Sequence, residues 1–378
     1  MKKQQLLCLN FVLLVSFAIA DERDFISDML KAVPMFRTFM PNSNEYCKSS
    51  IIECYSNGNI RSIKIKNVHL NRKIPRSIQE LTRLTVLYVF MKSFRIGETM
   101  LKLTITSKNT LCGRRELENC SVRIDWNSIS KLHFLRVLKL NNNLIRGKIP
   151  TFNANLVELD LSYNLLTGLP ESFPSTLYRL NISNNKIEGS LDSIHFNNEY
   201  LTEFHAGNNN LTGSISKHIS NLPRLHKLNL SKNNIHDDIS ELKPIISNLV
   251  ELDLSCNRVY GDIPTHIFWL RNINVVNLSR NMITGYLRAE TYISRSHTII
   301  DLSHNLIEGE VPNFLGIYNL KVLRLNNNKL KNICNDSKFF GTQLIEGECL
   351  MYGNNFHTEC ISAYCEYKSP TSTGYLGH

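Results

Sequence analysis

In LDLSCNRVYGDIP, residues 252–264, apolar and polar residues alternate through Leu252, Asp253 and Leu254. A period of two makes a short strand with both leucines on one face. The phrase returns 24 residues later as VNLSRNMITGYL and 24 later again as IDLSHNLIEGEVP. Aligned on its asparagine, it recurs at Asn143, Asn164, Asn185, Asn209, Asn233, Asn257, Asn281, Asn305 and Asn328, at spacings of 21, 21, 24, 24, 24, 24, 24 and 23 residues. Each copy predicts one strand, and stacked copies predict a parallel sheet over a shared apolar core. The asparagine lies where the chain leaves the strand. There a buried amide can bond the backbone of adjacent turns, satisfying groups that a turn would otherwise strand.

Repeats of this length and pattern are leucine-rich repeats. Weaker copies extend the array towards the N-terminus: IKIKNVHLNRKIP (63–75) with Val68 in the ladder column, and LTRLTVLYVFMKSF (81–94) with Lys92. The 51 residues from Lys92 to Asn143 amount to about two repeats, so Cys120 is placed in the ladder of an irregular third turn, with extra residues near Cys112. The array then has about twelve turns. The expected fold is an α/β solenoid, a right-handed leucine-rich repeat horseshoe with a concave parallel β-sheet. A solenoid exposes the apolar cross-section of its terminal repeats, so each end needs a cover.

The endings LIRGKIP (144–150), VYGDIP (259–264) and IEGEVP (307–312) follow LxGxIP. This ending resembles the plant-type leucine-rich repeat of receptor-like protein and receptor-kinase ectodomains and of polygalacturonase-inhibiting proteins, over about Asp21 to Cys365. The entry YCKSSIIECYSNGNIRSIKI is similar to the N-terminal cap of that family. The resemblance implies a Cys47–Cys54 staple, and a second, C-terminal cap drawing on Cys334, Cys349, Cys360 and Cys365 in any of three connectivities. The resulting division is a signal peptide (1–20), an N-terminal cap (21–59), the repeat array (60–333), a C-terminal Cys-rich cap (334–365) and a loose polar tail (366–378).

Composition agrees with an exported globular chain. The 378 residues are 42% hydrophobic and 20% charged, enough for a sizeable core. The start MKKQQLLCLNFVLLVSFAIA has two lysines, an apolar run and small residues before Asp21, the pattern of a secretory signal peptide. Without it the formal charge falls from +10 to +8, with 41 basic and 33 acidic residues. The basic residues form no run, and an exported chain makes nucleic acid a poor partner. The tail lacks a hydrophobic lipid-anchor signal. The predicted place is extracellular or the cell wall.

Candidate chemistry is sparse. No GxSxG, HExxH, phosphate-loop or EF-hand motif occurs, so no enzyme, cofactor or metal is predicted. His205 and His226, on neighbouring strands, form the best metal candidate and lack a third ligand. Cys256, with no cysteine in the adjacent repeats, is expected to be a free thiol or to pair between chains.

The variable letters carry more. On the concave face, Glu158, Arg179, Glu203, Lys227 and Glu251 alternate in charge, as a cross-strand ladder does. The same column then becomes Val275, Ile299 and Val322, an apolar patch with Arg280, Asp301, His304 and Arg324 around it. Apolar area with a polar rim marks a ligand site; cover by the C-terminal cap is the competing reading. A second patch is Val86, Tyr88 and Phe90. Sequons stand at Asn119, Asn181, Asn210, Asn229, Asn277 and Asn335, of which Asn181, Asn210, Asn229, Asn277 and Asn335 are the predicted glycosylation sites. The function expected is non-catalytic recognition of an extracellular protein, peptide or glycan, in defence or cell-surface signalling. Alternatives are inhibition of a polygalacturonase and a structural or adhesive role.

Overall fold

A strand of three residues cannot hold itself, so the order of this chain comes from stacking. The computed structural model describes residues 24–31, 43–66, 83–90, 126–215, 222–242, 248–264, 270–287, 296–311, 319–333 and 348–356, with positions 78, 81, 124, 267 and 268. The chain divides into two units, Met1–Pro170 and Glu171–His378.

In the first unit, strand Ile52–Cys54 turns back antiparallel onto Ile60–Lys66. The Cys47–Cys54 disulfide joins this hairpin to the 3-10 turn Ser43–Lys48, with Cα atoms 5.5 Å apart. Parallel strands Ile60–Lys66, Val86–Phe90, Val137–Lys139 and Glu158–Asp160 follow. Ile63, Leu87, Leu138 and Leu159 stack in register and are buried. Burying such a side chain contributes roughly 1.5–3 kcal/mol. One expectation fails here. Val86 pairs directly with Val137, so no strand intervenes and the turn assigned to Cys120 is absent from the sheet. The residues between are an insertion joining two adjacent strands; Cys112 and Cys120 themselves lie outside the described residues.

The second unit stacks eight parallel strands: Arg179–Asn181, Glu203–His205, Lys227–Asn229, Glu251–Asp253, Val275–Asn277, Ile299–Asp301, Val322–Arg324 and Glu348–Leu350. Their middle residues, from Leu180 and Phe204 through Leu323 to Cys349, point into the core and are buried. Four and eight parallel strands match the expected number of about twelve turns. The one missing at Cys120 is made up by Glu348–Leu350, beyond the last ladder asparagine read from the sequence.

The asparagine ladder is present. Asn257 Nδ2 donates to the carbonyls of Leu254 (3.0 Å) in its own turn and Leu230 (2.9 Å) in the preceding one, and its Oδ1 accepts from the Ile235 amide (3.1 Å). Asn209, Asn233, Asn281, Asn305 and Asn328 repeat these contacts. Asn354 continues them, donating to Leu325 and Met351 and accepting from Leu330. The residue before each ladder asparagine is left-handed, with φ between 54° and 58° from Asn142 to Asn327. That conformation is unfavourable for β-branched side chains, and none occupies it.

Outside the core, short second strands leave the ladder. Gly261 illustrates the LxGxIP glycine: its φ is +86°, and a Cβ there would strike the Asp238 carboxylate. Ser190 and Asp238 cap the 3-10 turns Leu191–Ser193 and Ile239–Glu241 by accepting the amides of Asp192 and Ser240, the usual remedy for orphan donors at a helix start.

Candidate functional site

The open face of the second unit is built from two side-chain columns per strand, because alternate residues of a strand point to opposite sides. In the inner column, Asx side chains are tied to the scaffold. The Oδ1 atoms of Asn181, Asn229, Asp253, Asn277 and Asp301 each accept the hydroxyl of the serine two residues on, at 2.6–2.8 Å, and its amide. The recurring serine is thus half of a local side-chain turn. Asn181, Asn229 and Asn277 therefore have a structural task whether or not they carry glycans. Asn210 is exposed on a second-strand segment, Asn210–Thr212. Asn119 and Asn335 lie outside the described residues.

The outer column varies along the unit. Arg179 pairs with Glu203 at 3.0 Å and Lys227 with Glu251 at 3.1 Å. In the first unit Glu158 pairs instead with Lys139, at 2.7 Å. Val275, Ile299 and Val322 then succeed one another as directly paired residues, each half-buried beside its neighbours.

The four polar residues assigned to the rim separate into two groups. Asp301 and Arg324 sit on the sheet beside the patch, where Arg324 donates to Asp301 at 3.2 Å and to Glu348 at 2.7 Å. Hydrogen bonding to Glu348, and next to Asp301, raises the Arg324 pKa; the same contact lowers that of Glu348. Arg280 and His304 instead occupy the left-handed turn at the strand exit. Burial, then Arg280, pushes the His304 pKa down, and its Nε2 lies 3.2 Å from Asn327 Nδ2. The sequence reading missed Glu348 and Leu350, which pair with Val322 and Arg324 and extend the site by one strand. Their signal is ECLMYGNNF, where Cys349 and Met351 stand for leucines and Asn354 for the ladder residue.

Other candidates resolve differently. His205 pairs in register with Asn229, whereas His226 follows Thr202 one step earlier, so the two histidines do not share a place on the face. His205 lies 3.8 Å from Glu203, and burial lowers its pKa. The His226 ring approaches the Arg224 carbonyl at 2.6 Å. Among the described residues, no group of three His, Cys, Asp or Glu is placed to hold a metal ion. Cys256 is free and half-buried. Cys349 is disulfide-bonded, while Cys334, Cys360 and Cys365 lie outside the described residues. Val86 is half-buried and paired with Val137; the side chains of Tyr88 and Phe90 lie outside the description. Among the described residues no helix is long and apolar enough to cross a membrane.

The Leucine Rich Repeat family matches residues 155–175. No curated protein matches the chain. Among solved structures, it resembles the ectodomain of the Arabidopsis receptor kinase HAESA in complex with an N-terminally extended IDA peptide hormone: TM-score 0.68, 22% identity, covering 90% of this chain and 54% of that one. It also resembles the plant peptide hormone receptor RGFR1 in complex with RGF2, with TM-score 0.58, 23% identity, and 79% and 48% coverage. A third likeness is to a plant ice-binding protein, with TM-score 0.59, 20% identity, and 93% and 98% coverage. The chain spans about half the length of the two receptor chains. At these identities the likeness carries the fold: the chain has the leucine-rich repeat solenoid of plant ectodomains.

Proposed function

We propose that this chain is a secreted, non-catalytic recognition protein that binds an extracellular peptide or protein segment on the open face of its second unit, from Val275 to Leu350. The observation behind this reading is the change in the outer column from satisfied ion pairs to three adjoining apolar side chains. Beside them the Asp301–Arg324–Glu348 network offers a fixed polar border. Apolar anchors with a polar border are how such interfaces divide affinity from specificity. The leader at residues 1–20 supports export. The HAESA and RGFR1 ectodomains, seen with peptide hormones, support a peptide ligand for this scaffold.

The test uses a partner captured from extracellular fluid on the folded protein. Ile299→Asp places a charge among the anchors and is expected to weaken that partner by about 2 kcal/mol, or roughly thirtyfold. Folding is expected to survive, because Ile299 points away from the core that holds Ile300. Glu203→Ala is the matched control and should bind as wild type. Loss of affinity in the control with none in Ile299→Asp would place the site in the other half of the face.

A further inference from the structure

The second strands of the second unit carry a different surface. There, residues pair with partners 21 or 22 positions on: Tyr260 with Met282, Asp262 with Thr284, Tyr286 with Glu308 and Glu308 with Lys329. Asp238 bridges to Tyr260, and the Leu306 amide bonds the Ile283 carbonyl beside Thr284. The result is a grid of three rows, Asp238–Tyr260–Met282, Asp262–Thr284–Leu306 and Tyr286–Glu308–Lys329. Four of its members are large, apolar and exposed: Tyr260 at 38%, Met282 at 41%, Leu306 at 41% and Tyr286 at 62%. The inward neighbours Ile283, Leu287 and Ile307 are buried, so the core does not need these four.

The charges on the grid are unevenly answered. Glu308 has Lys329 at 3.6 Å. Asp238 accepts from the amide and hydroxyl of Ser240, and Asp262 from the Thr284 hydroxyl at 2.9 Å; among the described residues neither is in an ion pair. Two carboxylates with neutral partners flank two exposed tyrosines, on a chain whose formal charge is +10. Tyrosine faces attract cations, and exposed apolar area of this kind is a common partner site.

The geometry points to this outer grid as a docking surface for a basic polypeptide segment with apolar side chains. Its lysine or arginine groups would lie over Tyr260 and Tyr286 and reach Asp238 and Asp262, while its apolar side chains cover Met282 and Leu306. Charge complementarity selects this occupant over an acidic peptide. A neutral glycan would stack on the tyrosines but leave the carboxylate charge unanswered.

The full chain is titrated with a synthetic ten-residue peptide alternating lysine and leucine, with a glutamate–leucine peptide and with a neutral oligosaccharide. The expected result is binding of the lysine peptide alone, weakened by added salt. Amide exchange should slow in 282–287 and 306–310. The double variant Tyr286→Ser, Asp262→Asn should weaken binding at least tenfold; asparagine retains the acceptor for Thr284. Ile299→Asp should leave this binding unchanged, which separates the outer surface from the open face. Equal binding of the glutamate peptide, binding of the oligosaccharide alone, or unchanged exchange in these segments would overturn the proposal. So would full affinity in the double variant.

Discussion

From Arg179 to Glu251 the open face of the second unit is laddered with charge; from Val275 to Val322 it is apolar. The backbone is the same in both halves, with 24-residue pairing, the same ladder contacts and the same Asx–serine turns. Only the first residue of each strand differs. The scaffold therefore leaves one side chain per repeat free to choose between satisfying itself and remaining available to a partner.

If the scaffold is common to both halves, damage to it should be indifferent to the half. Asn233→Leu and Asn281→Leu each strand backbone groups of two turns and should each cost about 1–3 kcal/mol, read as matched falls in denaturant midpoint. Arg258→Ala, in an exposed turn, should change it little. A large inequality between the two asparagines would show that the halves differ below the surface.

A second variant erases the contrast. Val275→Lys continues the ladder beside Glu251 and should change stability by no more than about 1 kcal/mol, while partner binding falls. Unchanged binding would mean that the apolar column is not the anchor.

Removing one rung is a smaller step. Lys227→Ala should cost about 0.2–1 kcal/mol, and the difference from wild type should shrink at high salt because the pair is partly exposed. A salt-independent loss would point to packing instead.

The smallest effect concerns the border of the site. Arg324 lowers the Glu348 pKa, so Glu348 stabilises the fold above its ordinary value near 4.5. That contribution is lost as pH falls through its folded value. Glu348→Gln should therefore flatten the melting temperature against pH below about 4.5, compared with wild type. Parallel curves would mean that the Arg324 contact has no such role.

The repeat architecture could be read from sequence because the ladder asparagine does a job no other side chain does in that place, and the strand columns followed from its register. The boundaries were harder. The 51 residues from Lys92 to Asn143 are close to two repeat lengths, and length alone does not distinguish an insertion from a turn. At the other end, Cys349 and Met351 fill leucine positions and the interval from Asn328 to Asn354 is longer than the 24 of the regular repeats, which hid a turn. The Val275, Ile299 and Val322 neighbourhood was legible, but its link to Glu348 depended on that hidden turn. The outer grid escaped because its neighbours are 21 or 22 residues apart, while the sequence repeats at 24.

The two pairing intervals have a crystallographic counterpart. On the open face the repeat length and the pairing length coincide, so equivalent residues form a rectangular net with straight rows across the strands. On the second strands the net is oblique, and each equivalent residue is displaced by two positions, roughly 6.6 Å, from one repeat to the next. Copying one 24-residue repeat would lengthen a straight stripe on the open face but a diagonal one on the second strands. A ligand fitted to one net would find the other out of step after a single repeat.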